Sequence, residues 1–245
     1  ETDRVRDDLA ERGAVWQEIS EESELLARVA DLIAAGGVVG WFQGRMEFGP
    51  RALGCRSILG DARSPEMQRK LNLKIKFRES FRPFAPVVLE ECASDYFELD
   101  RPSPYMLLVA PVAEHRRRAL PPREAHTMET AENLVERVGI VRSDIPAVTH
   151  VDGSARIQTV DEQRHGRFRR LLQAFHERTG TPVLVNTSFN IRGEPIVCTP
   201  GDAYRCFVLT DMDALVVENF LLLKEKQPKE NLSGREEYRN RFKAD

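Results

Sequence analysis

Residues 40–61 read "GWFQGRMEFGPRALGCRSILGD". The segment is entered from "VVGWF" (38–42), an apolar run with the composition of a buried strand, and left through "RSILGD" (56–61), a second extended piece. Between them Gly49-Pro50 and Gly54 make a tight loop, and Arg51 and Arg56 bring guanidinium groups to the strand ends. Open α/β sheets bind ligands at strand ends, so this one stretch bears on both the fold class and the place to look for chemistry.

Working outward, "SEESELLARVADLIAAGG" spaces Leu25, Leu26, Val29, Leu32 and Ile33 as a helix, with Ser20 as its N-cap and Gly36-Gly37 as its end. A further helix is expected from Ser64-Pro65-Glu66 through "MQRKLNLKIKF", with proline at the first helical position. Residues 84–90 and 106–112 read as strands, and "AVTHV" with "SARIQTV" reads as a hairpin turning at Asp152-Gly153. A helix over 166–179 stops at Gly180, and strands follow at 182–186, 194–198, 214–218 and 220–224. Thr199-Pro200-Gly201-Asp202 caps one more helix, with the acid three residues after the threonine. Strands mixed with helices in this order predict an α/β or α+β domain around a twisted mixed sheet. Residues 1–24 read as a lead-in, 25–224 as the domain, 113–145 as a surface insertion and 225–245 as a charged surface tail.

Composition narrows the function classes. The 245 residues are 41% hydrophobic and 31% charged, as in an ordinary water-soluble globular chain. A net charge of -3 argues against a chain built to coat nucleic acid, yet the charge is unevenly spread. Residues 1–31 hold ten acidic and four basic side chains, whereas residues 41–82 hold ten basic and four acidic ones. The basic excess therefore marks a site. Four cysteines without a CxxC spacing and five histidines without an HxxxH pair argue against zinc and read as reduced cytoplasmic thiols and ordinary histidines. No apolar run approaches the ~20 residues of a membrane span. The chain opens on "ETDRVRDD" without an initiator methionine or signal peptide, as an excised domain would.

Three segments end a strand in rigid polar chain. They are the opening loop with Arg51 and Arg56, then "KIKFRESFRPFAP" with Lys74, Lys76, Arg78 and Arg82, and then "VNTSFNIRGEP" with Asn186, Thr187, Ser188, Asn190 and Arg192. Arg156 in the expected hairpin is a fourth candidate. Guanidinium and ammonium groups beside glycine-rich turns suit phosphate oxygens, so the expected ligand is anionic and phosphorylated. Neither GxxxxGK[ST] nor GxGxxG after a strand occurs, which argues against the two commonest nucleotide sites.

"GWFQGRMEFGPRALGCRSILGD", "KFRESFRPFAP" and "TPVLVNTSFNIRGEPIVCTPGDA", in that order, closely resemble the C-terminal domain of the O-carbamoyltransferases that tailor antibiotics and nodulation factors. The resemblance covers roughly residues 25–224. It implies a YrdC-like fold, a twisted mixed sheet with a concave basic face. It further implies that this domain binds ATP, with its Mg2+, and carbamoyl phosphate, and forms carbamoyl adenylate. A separate N-terminal domain of the actin/sugar-kinase-like fold, carrying histidine-bound iron, would then pass the carbamoyl group to a hydroxyl of an acceptor. By matching motif, the ligand-gripping residues fall on Lys76, Arg51 and Arg156 as catalytic groups. Arg82, Asn186, Ser188, Asn190 and Arg78 are the substrate- and ATP-binding groups. The residues themselves leave two alternatives open: an RNA-binding module on such a fold, against which the 7% aromatic content argues, and a threonylcarbamoyladenylate synthase-like enzyme.

Overall fold

The computed structural model describes residues 2–242. Apolar, β-branched runs become the strands of one sheet: β1 (Gln17–Glu18), β2 (Val39–Phe42), β3 (Arg56–Asp61), β4 (Ala85–Leu89), β5 (Leu108–Pro111), β6 (Ser154–Val160), β7 (Val183–Ser188), β8 (Ala214–Val217) and β9 (Phe220–Leu223). Their order across the sheet is β1-β9-β8-β2-β3-β7-β4-β6-β5. The pairs β2–β8 and β4–β6 run parallel and the others antiparallel, so the sheet is mixed. The stretch 40–61 is its centre: β2 and β3 pair antiparallel, Phe42 opposite Arg56, and the loop between them joins neighbouring strands.

The helices are α1 (Thr2–Glu11), α2 (Glu22–Ala34), α3 (Met67–Lys70), α4 (Ala93–Tyr96), α5 (Pro122–Thr130), α6 (Leu134–Val138), α7 (Glu162–His165), α8 (Arg167–Thr179), α9 (Pro200–Val208) and α10 (Arg235–Arg241). One face of the sheet is covered by α2 and α8. Leu25, Val29 and Ile33 of α2 and Leu171, Leu172 and Phe175 of α8 pack in one cluster with Trp41, Leu59, Leu184 and Val216. Their spacing of three and four residues puts each set on a single helix face, and burial of each large side chain contributes about 1.5–3 kcal/mol. On the other face Val5, Leu9, Leu71, Ile75, Phe207 and Tyr238 meet Phe42, Ile58, Val185 and Leu215. Gly180 ends α8 in the left-handed conformation at φ 71°, and Thr199 and Asp202 close the expected capping box on α9.

Several expectations are corrected. Ser20 is not the cap of α2; Glu21 stands there without a side-chain cap bond, and acidic Glu22 and Glu24 fill the first turn. The helix expected from Ser64 begins at Met67 and turns into π-helical winding at Leu71–Ile75. Residues 194–198 form no strand, because β3 and β7 already have strands on both sides and Pro195 has no amide to donate. "AVTHV" is not a strand either: Pro146–Val148 is a 3-10 turn, and β6 pairs instead with β5 and β4. The turn at Asp152-Gly153 is present, with Gly153 at φ 77°. Residues 113–145 carry helices α5 and α6, neither of which has a buried residue. The segment is anchored by buried Arg142, whose guanidinium donates to the carbonyls of Arg137, Ile140, Thr149 and His150. The lead-in and the tail belong to the fold: Val5, Leu9 and Tyr238 are core residues, and β1 pairs with β9.

Candidate anion-binding site

The opening loop is rigid for identifiable reasons. Glu47 Oε1 accepts three backbone amides, those of Leu53 and Cys55 at 2.7 Å and of Arg56 at 3.3 Å. Gly54, at φ 117°, lies where an added Cβ would come within 2.2 Å of the Phe168 ring, and its carbonyl accepts Trp41 Nε1 at 2.9 Å. Beneath the loop, Arg56 is buried with its guanidinium 3.4 Å from the Phe42 ring centroid. It donates to the carbonyls of Gln43 at 3.0 Å, Gly44 at 3.0 Å and Cys55 at 2.9 Å. Arg56 therefore braces the loop through both terminal nitrogens, contrary to the expectation that both loop arginines face phosphate, while its buried Nε has no partner among the described residues. Burial pulls its pKa down.

Arg51 goes the other way. It lines a cleft of about 140 Å³ together with Pro50, Ala52, Arg78, Pro83, Phe84, Ala85, Met106, Arg156, Asn186, Thr187 and Ser188. Residues from all three polar segments and from β6 thus meet at one place. The lining contains three guanidinium groups and, among the described residues, no carboxylate. Arg156 rises from β6 with only Met106 Sδ, at 3.9 Å, near its terminal nitrogen, and its buried Nε has no partner among the described residues. Burial lowers its pKa, and the charge of Arg51 lowers it further. Arg78 spends Nε on Asn72 Oδ1 at 2.6 Å and lies over the Phe84 ring. Burial, and after it repulsion from Arg82, pulls Arg78 down to about 10. Unbalanced cations in a partly dry cleft are an invitation to an anion.

The floor is a buried amide pair. Asn186 Nδ2 donates to Ala52 O at 3.1 Å and to Gln158 Oε1 at 2.7 Å, while Gln158 Nε2 holds Leu53 O at 2.8 Å. Asn186 Oδ1 is buried without a donor among the described residues. Met106 is held at φ 54°, a conformation that a side chain of its size adopts at a cost.

Other expected site residues stand elsewhere. Lys76 is buried and does not line the cleft. Its ammonium is enclosed by the end of β7 and the following loop: Ser188 O, Ser188 Oγ at 3.3 Å, Asn190 O at 2.9 Å and Asn190 Oδ1 at 2.8 Å. Asn190 is likewise occupied, its Nδ2 donating to Glu194 O at 2.7 Å. Ser188 reaches the cleft, but its hydroxyl donates to Asn190 Oδ1 at 2.8 Å. Arg82 is exposed and paired with Glu79 at 2.9 Å, next to lining residue Pro83. Lys74 and Arg192 are exposed partners of Asp211 and Glu79. Among cleft residues, Met106 carried no sequence signal, since it sits in an apolar run. Thr187, also in the lining, is legible as part of "VNTSFN".

Burial, and secondarily the charge of Arg78, pulls the Lys76 pKa from 10.5 to about 7, against the oxygens around it that favour the ammonium. The folded pKa lies below the unfolded one, so between about pH 7 and 10.5 the unfolded chain binds the extra proton and stability must rise with pH. Lys224 carries the same shift, so the test is a difference. Denaturant midpoints of the parent minus those of Lys76→Met should increase from pH 6 to pH 9.5. A flat difference would mean that Lys76 keeps its ordinary affinity for the proton.

No group of three or more histidine, cysteine, aspartate or glutamate residues capable of holding a metal occurs among the described residues, and no helix there is long and apolar enough to cross a membrane. Residues 30–224 match the family model described as carbamoyltransferase C-terminus. The chain is 59% identical over 215 residues to the uncharacterized protein sll1178 of Synechocystis sp., covering 88% of this chain and 34% of that protein. It is 42% identical over 219 residues to the nodulation protein NolNO of Sinorhizobium fredii, covering 88% of this chain and 28% of that one. The chain therefore spans about a third of the length of these relatives. Among solved structures, full-length HypF in a phosphate- and nucleotide-bound form matches 79% of the chain and 20% of its own at 15% identity and a TM-score of 0.45. HypF of T. kodakarensis matches 70% and 18% at 22% identity and a TM-score of 0.41.

Proposed function

The chain belongs to the carbamoyltransferase C-terminal family, and from that premise we propose that its arginine cleft binds ATP and carbamoyl phosphate and forms carbamoyl adenylate. The observation that carries this reading is the convergence of Arg51, Arg78 and Arg156 on one cleft with no carboxylate among the described lining residues. Two polyanions must approach each other here, and fixed guanidinium groups offset their repulsion and stabilise charge on the phosphoryl oxygens in the transition state. The balanced reaction uses one water. Cleavage of carbamoyl phosphate gives phosphate and carbamate, a carbamate oxygen bonds to the α-phosphorus of ATP, and the bond from that phosphorus to pyrophosphate breaks. In-line displacement needs positioning more than a protein base, which suits a cleft without histidine or cysteine among its described lining.

The cleft lining does not fit a protein-held Mg2+, because it offers no carboxylate among the described residues. We expect Mg2+ to arrive on the ATP phosphates as part of the substrate, and no step is assigned to it. Transfer of the carbamoyl group to an acceptor hydroxyl would fall to an N-terminal domain of the actin/sugar-kinase-like fold with its iron, and the reaction would be cytoplasmic. The test is mass detection of carbamoyl adenylate after mixing this chain with ATP, Mg2+ and carbamoyl phosphate, beside calorimetric titration of each ligand. Adenylate with pyrophosphate release is expected. Neither product nor heat of binding would refute the reading.

A further inference from the structure

We propose that Tyr238 and Glu194 are positioning residues for the arginine cleft, holding Ser188 through a continuous chain of hydrogen bonds that starts on the C-terminal helix; the functional consequence rests on the cleft being the ligand site. Tyr238, on α10, is buried, and its hydroxyl donates to Glu194 Oε1 at 2.6 Å. Glu194 is buried as well. Its Oε2 accepts the Ile191 amide at 3.0 Å and its carbonyl accepts Asn190 Nδ2 at 2.7 Å. Asn190 Oδ1 then receives Ser188 Oγ and Lys76 Nζ, each at 2.8 Å. Ser188 is cleft wall.

The loop needs such support. Residues 189–198 contain no strand or helix, and their backbone bonds are sparse: Val197 to Phe189 at 3.0 Å and Arg192 to Lys76 at 3.2 Å among them. Order must come from side chains, and a chain of satisfied buried polar groups supplies it. Charge balance alone does not account for the arrangement. Glu194 already has Arg205 at 3.8 Å, whereas the tyrosine hydroxyl adds direction. The family match ends at residue 224, so the shared motifs do not account for α10. The titratable groups around the two ends are Arg78, Cys206 and Glu194 near Lys76, and Cys206 and Arg205 near Glu194 and Tyr238, with Lys76 and Lys224 acting on Cys206.

Tyr238→Phe tests the relay, since it keeps the ring that packs edge-on against Phe242. With the hydroxyl gone, amide exchange at Ile191 and Val197 should rise about tenfold, the effect of losing one charge-assisted bond. Exchange in β2 and α8 should stay at parental rates. The Lys76 resonance, followed by 13C-labelled lysine, should shift in both Tyr238→Phe and Glu194→Gln. Glu194→Gln, whose amide can still accept from Ile191, should protect the loop better than Glu194→Ala. The dissociation constant for inorganic pyrophosphate should rise about tenfold in Tyr238→Phe. Exchange that rises equally throughout α8 and β2, or a loop and Lys76 resonance identical to the parent, overturns the proposal. Exchange and the lysine resonance are read without ligand, so the relay is judged separately from the proposed function, which fails if the parent forms no adenylate and binds neither ATP nor carbamoyl phosphate.

Discussion

Arg156→Ala is expected to slow adenylate formation by roughly 10²–10³, or about 2.7–4 kcal/mol, the loss seen when one fixed donor to a developing anion is removed. The same change should leave the unfolding temperature at or above that of the parent. The two effects have opposite signs because Arg156 is a liability to the folded chain without ligand. Its Nε is buried without a partner among the described residues, and Arg51 repels it. If the cleft is the ligand site, Arg156 should stabilise the bound or reacting anion more than the fold. Arg51→Ala should behave likewise, with more of its effect in affinity. Arg101→Ala is the control: its partner Asp100 is exposed and it lies outside the cleft lining, so it should change turnover and stability by only tenths of a kcal/mol. Parental turnover by both cleft variants at saturating ligand would show the site to be elsewhere.

Arg56→Ala should have the largest effect on stability, on the order of 3 kcal/mol, because the buried Gln43 carbonyl loses its donor and two part-buried carbonyls lose one bond each. The carbonyls of Gln43 and Gly44 take their donor from this guanidinium, the Cys55 carbonyl keeps only the Gln43 amide at 2.9 Å, and the Phe42 ring loses the cation 3.4 Å from its centroid. Arg56→Lys keeps the charge but not the fork, so it should recover only part of the loss. Denaturant unfolding measures both. Arg156 is expected to show the opposite pattern: removing Arg56 should loosen the loop, whereas removing Arg156 should empty the cleft. An Arg56→Ala chain as stable as its parent would contradict the brace described here.

Much of the molecule can be read from local pattern. The leucine spacing of α2, the Gly180 stop of α8 and the Thr199–Asp202 box of α9 are relations within a few residues, and they appear where expected. The central strands are equally legible, because β2, β3, β7 and β8 are short apolar runs bounded by turn residues. Where the reading failed, a distant chain had intervened. Residues 194–198 have strand composition but find both neighbouring strand edges occupied. The tail has surface composition but carries Tyr238, whose partner Glu194 is 44 residues away.

The sequence by itself determined the family, the mixed α/β class and the polar segments that converge, since motif, periodicity and turn chemistry are all local properties of the chain. Only the tertiary structure decided which cations those segments leave unpaired. Lys76 and Arg56 look like ligand residues in the sequence, yet the fold gives each a set of carbonyl oxygens to hold. Arg51 and Arg156 meet across the cleft from segments more than a hundred residues apart, with no acid placed between them among the described lining residues. The reason is electrostatic. Whether an arginine braces a loop or stays unpaired depends on which oxygens surround its guanidinium, and those oxygens are supplied by the fold.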